Sequence, residues 1–424
     1  MKVVSALDYQ ELARRRLPRF LFDYVDGGSF EEVTLRRNLQ DVEQVALRQR
    51  VLRDVSSVEI STELFGQKLA MPVGLGPVGL AGISARRGEV QAARAAEAAG
   101  IPFCLSTMSV CSLAEVAGAV TRPFWFQLYM MRDPAVMRDL LAEARALGCT
   151  ALIFTVDAPV GSLRYRDHRA GLMGSTGFMP AVGRVWQAMQ RPAWAWDVGL
   201  NGRPHRLGNI APFLPRKAGL DDIFAWIGAN IEPNLSWRDL DTIRKEWAGP
   251  LIIKGVLDAE DAREAAKHGV DGLVVSNHGG RQLDGALSTA ETLPRITDAV
   301  GADLTVLVDG GVRSGLDVIR MLALGAKGVL LGRAWAYALA GAGEQGVAHL
   351  LKLIEAEIRV AMALCGVRSI AEIDSGILAG RQCAQGRFPC CKDQLQPIAD
   401  FDRSGLNGPA AVGRDDDGGG IAML

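Results

Sequence analysis

His278 lies in the run VVSNHGGRQLDG, followed by two glycines and then an arginine three residues on. That is no context for a core histidine, and an imidazole suits proton transfer near neutral pH. Asp157 closes the apolar run ALIFTVD and is the candidate to hold the second ring nitrogen. Arg281 and Arg164 are candidates for bidentate capture of a substrate carboxylate. Arg166 and Arg169 lie close to Arg164, so spacing alone does not choose among the three. Lys254 ends the apolar run PLIIKG, where a buried ammonium needs a negative partner. Beside a phosphate-bearing cofactor it would neutralise charge developing on the ring. Two further loops, Asp309-Gly310-Gly311-Val312-Arg313 and Gly332-Arg333, offer backbone N–H groups and guanidiniums together, the chemistry of a phosphate site.

These residues need a scaffold that brings them together. Eight short apolar runs supply it: 71–77, 102–106, 123–129, 151–157, 250–255, 271–277, 304–310 and 328–332. Apolar throughout, they read as parallel strands buried on both faces. Helical patterns fill most of the gaps, at 86–100, 133–148, 258–269 and 314–326, with Asp133 and Asp258 as expected N-caps. Alternating strand and helix predicts an α/β (β/α)8 TIM barrel. Active sites of such barrels sit at the C-terminal strand ends. Those ends here carry Val78 and Gly79, Ser106, Gln127 and Tyr129, Thr155 and Asp157, Lys254, Ser276 and His278, Asp309 and Gly311, and Gly332 and Arg333.

The spacing breaks once, between the fourth and fifth strands, so residues 171–235 are expected as a long insertion in the fourth βα loop. It holds Phe178, Met179, Trp186, Met189, Trp194 and Trp196, with Arg184, Arg191, Arg203, Arg206, Arg216 and Lys217 ahead of Asp221. Such a segment either lies on anionic lipid or packs as a lid. Residues 1–70 form an N-terminal extension with helical patterns near 7–16 and 29–40. The barrel domain is expected over 1–380 and a disordered tail over 381–424.

The 424 residues carry 47 Lys+Arg against 48 Asp+Glu, which gives no basic field for nucleic acid. Cys104, Cys111, Cys149 and Cys365 read as buried free thiols. Cys383, Cys390 and Cys391 lack a nearby histidine, so no metal site is expected. The N-terminus has no secretory signal and no apolar run spans a membrane, so a cytoplasmic location is the default.

The runs SNHGGRQLDG, VDGGVRSGLDV, ALGAKGVLLGR, FDYVDGGSFEEVTLRRN and FQLYMMRD resemble the FMN-dependent α-hydroxy-acid dehydrogenase and oxidase family, and the longer stretches are most similar to its membrane-associated bacterial L-lactate dehydrogenases. The resemblance implies oxidation of L-lactate or another 2-hydroxy acid. His278 would be the base, paired with Asp157. Arg281, Arg164 and Tyr24 would hold the carboxylate and Tyr129 the reacting hydroxyl. FMN would touch Val78, Gly79, Ser106, Gln127, Thr155, Lys254 and Ser276. Its ribityl chain would meet Asp309 and its phosphate Gly311, Arg313, Gly332 and Arg333. Oxidases of the family often carry Trp where this chain has Met108 and Ala where it has Gly79, which favours a dehydrogenase. No fused haem domain precedes residue 1, so a separate acceptor such as a quinone is implied. So are a homotetramer and a peripheral place on the cytoplasmic side of the inner membrane, through 171–235. Alternatives are mandelate, glycolate, a longer or peptide-derived 2-hydroxy acid, an O2-using oxidase, or a non-catalytic flavin barrel.

Overall fold

The computed structural model describes residues 2–172, 178–203, 205–213 and 220–379. Eight parallel strands form the barrel: β1 (Val73–Leu75), β2 (Cys104–Ser106), β3 (Trp125–Tyr129), β4 (Ala151–Thr155), β5 (Leu251–Val256), β6 (Gly272–Val275), β7 (Thr305–Val308) and β8 (Gly328–Leu331). Each coincides with one of the eight apolar runs, β5 extending one residue beyond its run to Val256. They hydrogen-bond in sequence from β2 to β8, and β8 pairs with β1. A parallel bridge between Leu75 and Phe103 closes the ring between β1 and β2.

Side chains alternate along a strand, so every second residue points into the barrel. Its apolar interior holds Cys104, Trp125, Ile153, Ile252, Val274 and Leu307. Two residues further along the same strands stand Ser106, Gln127, Thr155, Lys254, Ser276 and Asp309. The inner lining therefore changes from apolar to polar at the C-terminal end, and only there. The opposite end is plugged by a hairpin, Thr62–Leu64 with Gln67–Leu69, whose Leu64 and Leu69 join the interior cluster.

The crossover helices start where expected. Asp133 caps Pro134–Ala146 by accepting from the Ala135 N–H, and Asp258 caps Ala259–Lys267 by accepting from that of Glu260. The helices Gly88–Ala98 and Gly315–Ala323 occupy the other two patterned stretches.

The N-terminal extension contains three helices, Ala6–Arg16, Arg19–Asp26 and Val33–Gln44. The middle one is short, follows Pro18 and buries Phe20, Leu21 and Val25. Arg166 anchors it through Asp26 (2.6 Å), Asp23 (3.3 Å) and neighbouring Glu32 (3.5 Å). Arg166 is thus taken up by carboxylates and Arg169 lies over the Tyr165 ring, whereas Arg164 lines the cavity at the barrel mouth.

The insertion is helical in its described parts, with Phe178–Met189 and Leu220–Asn230 the longest elements. Trp194 is buried against Phe20 and donates to the Ile83 carbonyl at 2.8 Å. Trp186, Met189 and Trp196 are exposed. The packing reading of the segment therefore holds for Trp194, while other large side chains of the segment face outward. Among the described residues no helix is long and apolar enough to cross a membrane. Cys104, Cys111, Cys149 and Cys365 are buried and free. Arg216, Lys217, Cys383, Cys390, Cys391 and the 381–424 tail lie outside the described residues, as do the side chains of Phe178, Met179 and Asp221.

Candidate active site

A cavity of about 460 Å³ opens at the polar end of the barrel, lined by Tyr24, Tyr129, Arg164, Lys254, His278 and Arg281 among others. Val78, Gly79, Ser106, Asp309, Gly311, Arg313, Gly332 and Arg333 also line it. Gln127 and Thr155 sit just beneath, joined in a chain: Ser106 Oγ donates to Gln127 Oε1 and Gln127 Nε2 donates to Thr155 Oγ1, both at 2.9 Å.

His278 is held in a left-handed backbone conformation, φ 58°, followed by Gly279 and Gly280 at 64° and 72°. Such a conformation is uncommon outside glycine and costs on the order of 1–3 kcal/mol. Surrounding contacts maintain it. The His278 N–H donates to Ser276 Oγ at 3.1 Å, and the Gly280 N–H donates to Asn277 Oδ1 at 3.1 Å. The turn aims the ring so that Nδ1 meets Asp157 Oδ1 at 2.9 Å while Nε2 faces the Tyr129 hydroxyl at 3.4 Å. Burial lowers the His278 pKa, as does nearby Lys254, and Asp157 opposes them without cancelling them. Burial alone would raise the Asp157 pKa, but His278 and Lys254 bring it below its ordinary value. The resting pair is a neutral imidazole backed by a carboxylate. A base must be neutral to accept a proton, so kcat/KM should rise with pH and level off below the ordinary histidine range near 6.5. A kcat/KM profile whose acid limb lies above that value contradicts the assignment.

Lys254 is buried, donates to Ser276 Oγ at 2.9 Å and pairs with Asp309 Oδ2 at 3.1 Å. Burial disfavours its charge, yet Asp309 and Asp157 raise its pKa above normal and keep it an ammonium. Asp309 Oδ1 is buried with no hydrogen-bond partner, so this carboxylate has capacity left for a ligand hydroxyl.

Arg281 spends Nη1 on the carbonyls of Tyr24 and Gly27, both at 2.7 Å, and lies 4.9 Å from the Tyr24 ring centroid. Arg333 donates to the carbonyls of Val25, Asp26, Gly27 and Gly279. The two guanidiniums thus cap the C-terminal end of helix Arg19–Asp26, where orphan carbonyls favour cations. Nothing in the residue spacing signalled that contact. Burial and the neighbouring Arg281 push Arg164 down to about 10, and burial with Arg281 and Arg313 pushes Arg333 down to about 9. Six cations (Arg132, Arg164, Lys254, Arg281, Arg313 and Arg333) line the cavity with Asp309, and Asp157 stands behind His278, a surplus of positive charge that anionic ligands would relieve.

The site fits a phosphate-bearing cofactor. A methyl group added at Gly332 would meet nothing within 4 Å, so this backbone borders open space. The helix that begins at Arg333 and breaks at Ala342–Gly343 presents its N-terminus there. Gly311 adopts φ 81°, and a side chain would place Cβ 2.2 Å from the Asn38 carbonyl, so only glycine lets this loop pack on helix Val33–Gln44. Asn38 and Asn277 lock that helix to the His278 turn through reciprocal amide hydrogen bonds, each 2.8 Å. Sequence reading missed this pair. Both asparagines are buried, Asn277 at a strand end and Asn38 on the inner face of its helix.

A barrel with one strongly positive mouth, a carboxylate-backed histidine and a helix N-terminus at open backbone is an enzyme's architecture, suited to an anionic substrate beside a phosphate-bearing cofactor. A family model described as FMN-dependent dehydrogenase matches residues 13–380. The chain is 62% identical over 379 residues to L-lactate dehydrogenase of Caulobacter sp. (strain K31), covering 89% of this chain and 99% of that one. It is 59% identical over 378 residues to L-lactate dehydrogenase of Chromohalobacter salexigens, covering 89% and 96%. Among solved structures it is similar to a monotopic membrane protein, (S)-mandelate dehydrogenase, with TM-score 0.83 and 34% identity over 89% of this chain and 100% of that one. It is also similar to a mandelate oxidase, with TM-score 0.74 and 37% identity over 87% and 96%. The chain belongs to the FMN-dependent dehydrogenase family, and its cofactor is FMN.

Proposed function

We propose that the protein oxidises L-lactate to pyruvate and passes the electrons to a respiratory acceptor such as a quinone. The observation that carries this reading is the His278–Asp157 pair, which faces Tyr129 across a cavity also lined by Arg164 and Arg281. The identity of 59–62% to L-lactate dehydrogenases supports the substrate.

FMN, when bound, supplies the acceptor for the two electrons that leave the substrate. Val78, Gly79, Ser106, Gln127, Thr155, Lys254 and Ser276 would hold its ring region, Asp309 its ribityl chain, and Gly311, Arg313, Gly332 and Arg333 its phosphate. Lys254 brings a fixed positive charge to that region. Arg164, Arg281 and the Tyr24 hydroxyl would hold the substrate carboxylate and so orient C2. Tyr129 would hydrogen-bond the reacting hydroxyl. His278 takes a proton at Nε2, and Asp157 at Nδ1 stabilises the imidazolium that results. Asp157→Asn should slow turnover more than it weakens substrate binding, because the carboxylate matters only once the ring is charged; an unchanged kcat contradicts this.

Met108 and Gly79 stand where oxidases of the family often carry Trp and Ala, which supports a dehydrogenase. Oxygen consumption with L-lactate alone should be slow, and a quinone analogue should restore fast turnover. Stoichiometric peroxide at undiminished rate would favour the oxidase reading.

The exposed Trp186, Met189 and Trp196, together with the similarity to a monotopic membrane enzyme, support peripheral attachment to the cytoplasmic face of the inner membrane. The triple change Trp186→Ser, Met189→Ser and Trp196→Ser should shift the protein from anionic vesicles to the supernatant with lactate-dependent dye reduction retained. Unchanged sedimentation with vesicles contradicts the attachment. A homotetramer completes the proposal, and its mass in solution tests it.

A further inference from the structure

The two polar ends of a 2-hydroxy acid have partners in the cavity, but its remaining substituent, the side chain on C2, does not. The part of the cavity wall contributed by the insertion is apolar there. Ile227 and Ile231, at and just beyond the end of helix Leu220–Asn230, both line the cavity that holds Tyr129 and His278.

These two residues are fixed to the chemistry by a short staple. Met131 and Ile231 form an antiparallel bridge. The Arg132 N–H donates to the Asn230 carbonyl at 2.9 Å, and the Glu232 N–H donates to the Met130 carbonyl at 3.0 Å. Arg132 Nε adds a bond to the Ile231 carbonyl at 3.2 Å, a guanidinium on the orphan carbonyls just past a helix C-terminus. The stapled segment starts one residue after Tyr129. The position of Ile227 and Ile231 is therefore referenced to the strand end that carries Tyr129, not to the rest of the insertion.

We propose that Ile227 and Ile231 are specificity-determining residues, forming the wall that limits the size of the substrate's C2 side chain, and that Arg132 is the positioning residue that holds them. This rests on the 2-hydroxy-acid reading above. The wall favours a small apolar substituent such as the methyl of lactate. It disfavours an aryl group by contact.

One measurement tests it: kcat/KM for L-lactate and for (S)-mandelate on the FMN-loaded wild type, Ile227→Ala, Ile231→Ala and the double variant. One methylene in an apolar pocket is worth roughly 10–200-fold in discrimination. The ratio of mandelate to lactate should therefore rise by at least about tenfold in the double variant. The same preparations are titrated with benzoylformate and pyruvate, followed by the flavin spectrum. Benzoylformate should tighten relative to pyruvate even in a variant whose turnover is damaged. Arg132→Ala should raise the mandelate-to-lactate ratio in the same direction as Ile227→Ala and Ile231→Ala, and Arg132→Lys should restore part of the wild-type ratio.

An unchanged mandelate-to-lactate ratio and unchanged relative binding of the two oxo acids would overturn the wall. Failure of the lactate reading looks different: the wild type itself would then prefer another 2-hydroxy acid, before any substitution is made.

Discussion

His278→Asn should lower turnover on L-lactate by roughly 10²–10⁴-fold, the usual contribution of a positioned base, while FMN content and the flavin spectrum stay near those of the wild type. Asparagine is the informative replacement. It tolerates the left-handed backbone at φ 58° better than most residues, so the turn through Gly279 and Gly280 survives. It cannot take the proton. The backbone N–H that donates to Ser276 Oγ is kept, so Lys254 retains its hydroxyl partner. Pyruvate affinity should change little, because Arg164 and Arg281 are untouched. Turnover within a factor of two of wild type would remove His278 from the chemistry.

Lys254→Met should be the most damaging single change to stability. It deletes the ammonium 3.1 Å from Asp309 and leaves that carboxylate largely buried with one oxygen already lacking a partner. Breaking a buried pair from one side costs about 3–5 kcal/mol, and the partial exposure of Asp309 places this case near 3. The unfolding free energy of the apoprotein, measured by urea titration, should fall by that amount. Adding Asp309→Asn removes the stranded charge, and the double variant should recover most of the loss, leaving a coupling energy well above the few tenths expected of independent sites. FMN retention should not recover with it, because both partners would be missing from the cofactor's side of the cavity. If the double variant is as unstable as Lys254→Met alone, the lysine's role is packing and not charge.

The barrel was legible because parallel strands buried on both faces announce themselves as uninterrupted apolar runs, and all eight runs hold strands. The strand-end rule then placed Gln127, Thr155, Lys254, Ser276 and Asp309 at one mouth. Alternation explains why: each stands two residues beyond an interior apolar side chain such as Trp125, Ile153 or Ile252. What stayed hidden depends on contacts between segments far apart in sequence. The Asn38–Asn277 amide pair joins residues 239 positions apart. Arg333 reads as a phosphate ligand from its glycine-flanked loop, yet its hydrogen bonds in the structure go to carbonyls of residues 25–27 and 279. Arg164 immediately precedes a helix that begins at Tyr165 and Arg166 stands inside it, two positions on, where the carboxylates of Asp23, Asp26 and Glu32 hold it. The staple at Arg132 is a single bridge, too short for any pattern to signal. The insertion divides similarly: the fate of Trp194 was set by Phe20 and Ile83, neither near it in sequence.

The most direct test of the account is to add L-lactate to the FMN-loaded protein without oxygen and follow the flavin absorbance. The yellow colour should bleach to completion, at a rate at least as fast as steady-state turnover and about 10²–10⁴-fold slower in His278→Asn. Flavin that stays oxidised under L-lactate would contradict the account, and flavin that also stays oxidised under mandelate and glycolate would contradict its chemistry as a whole.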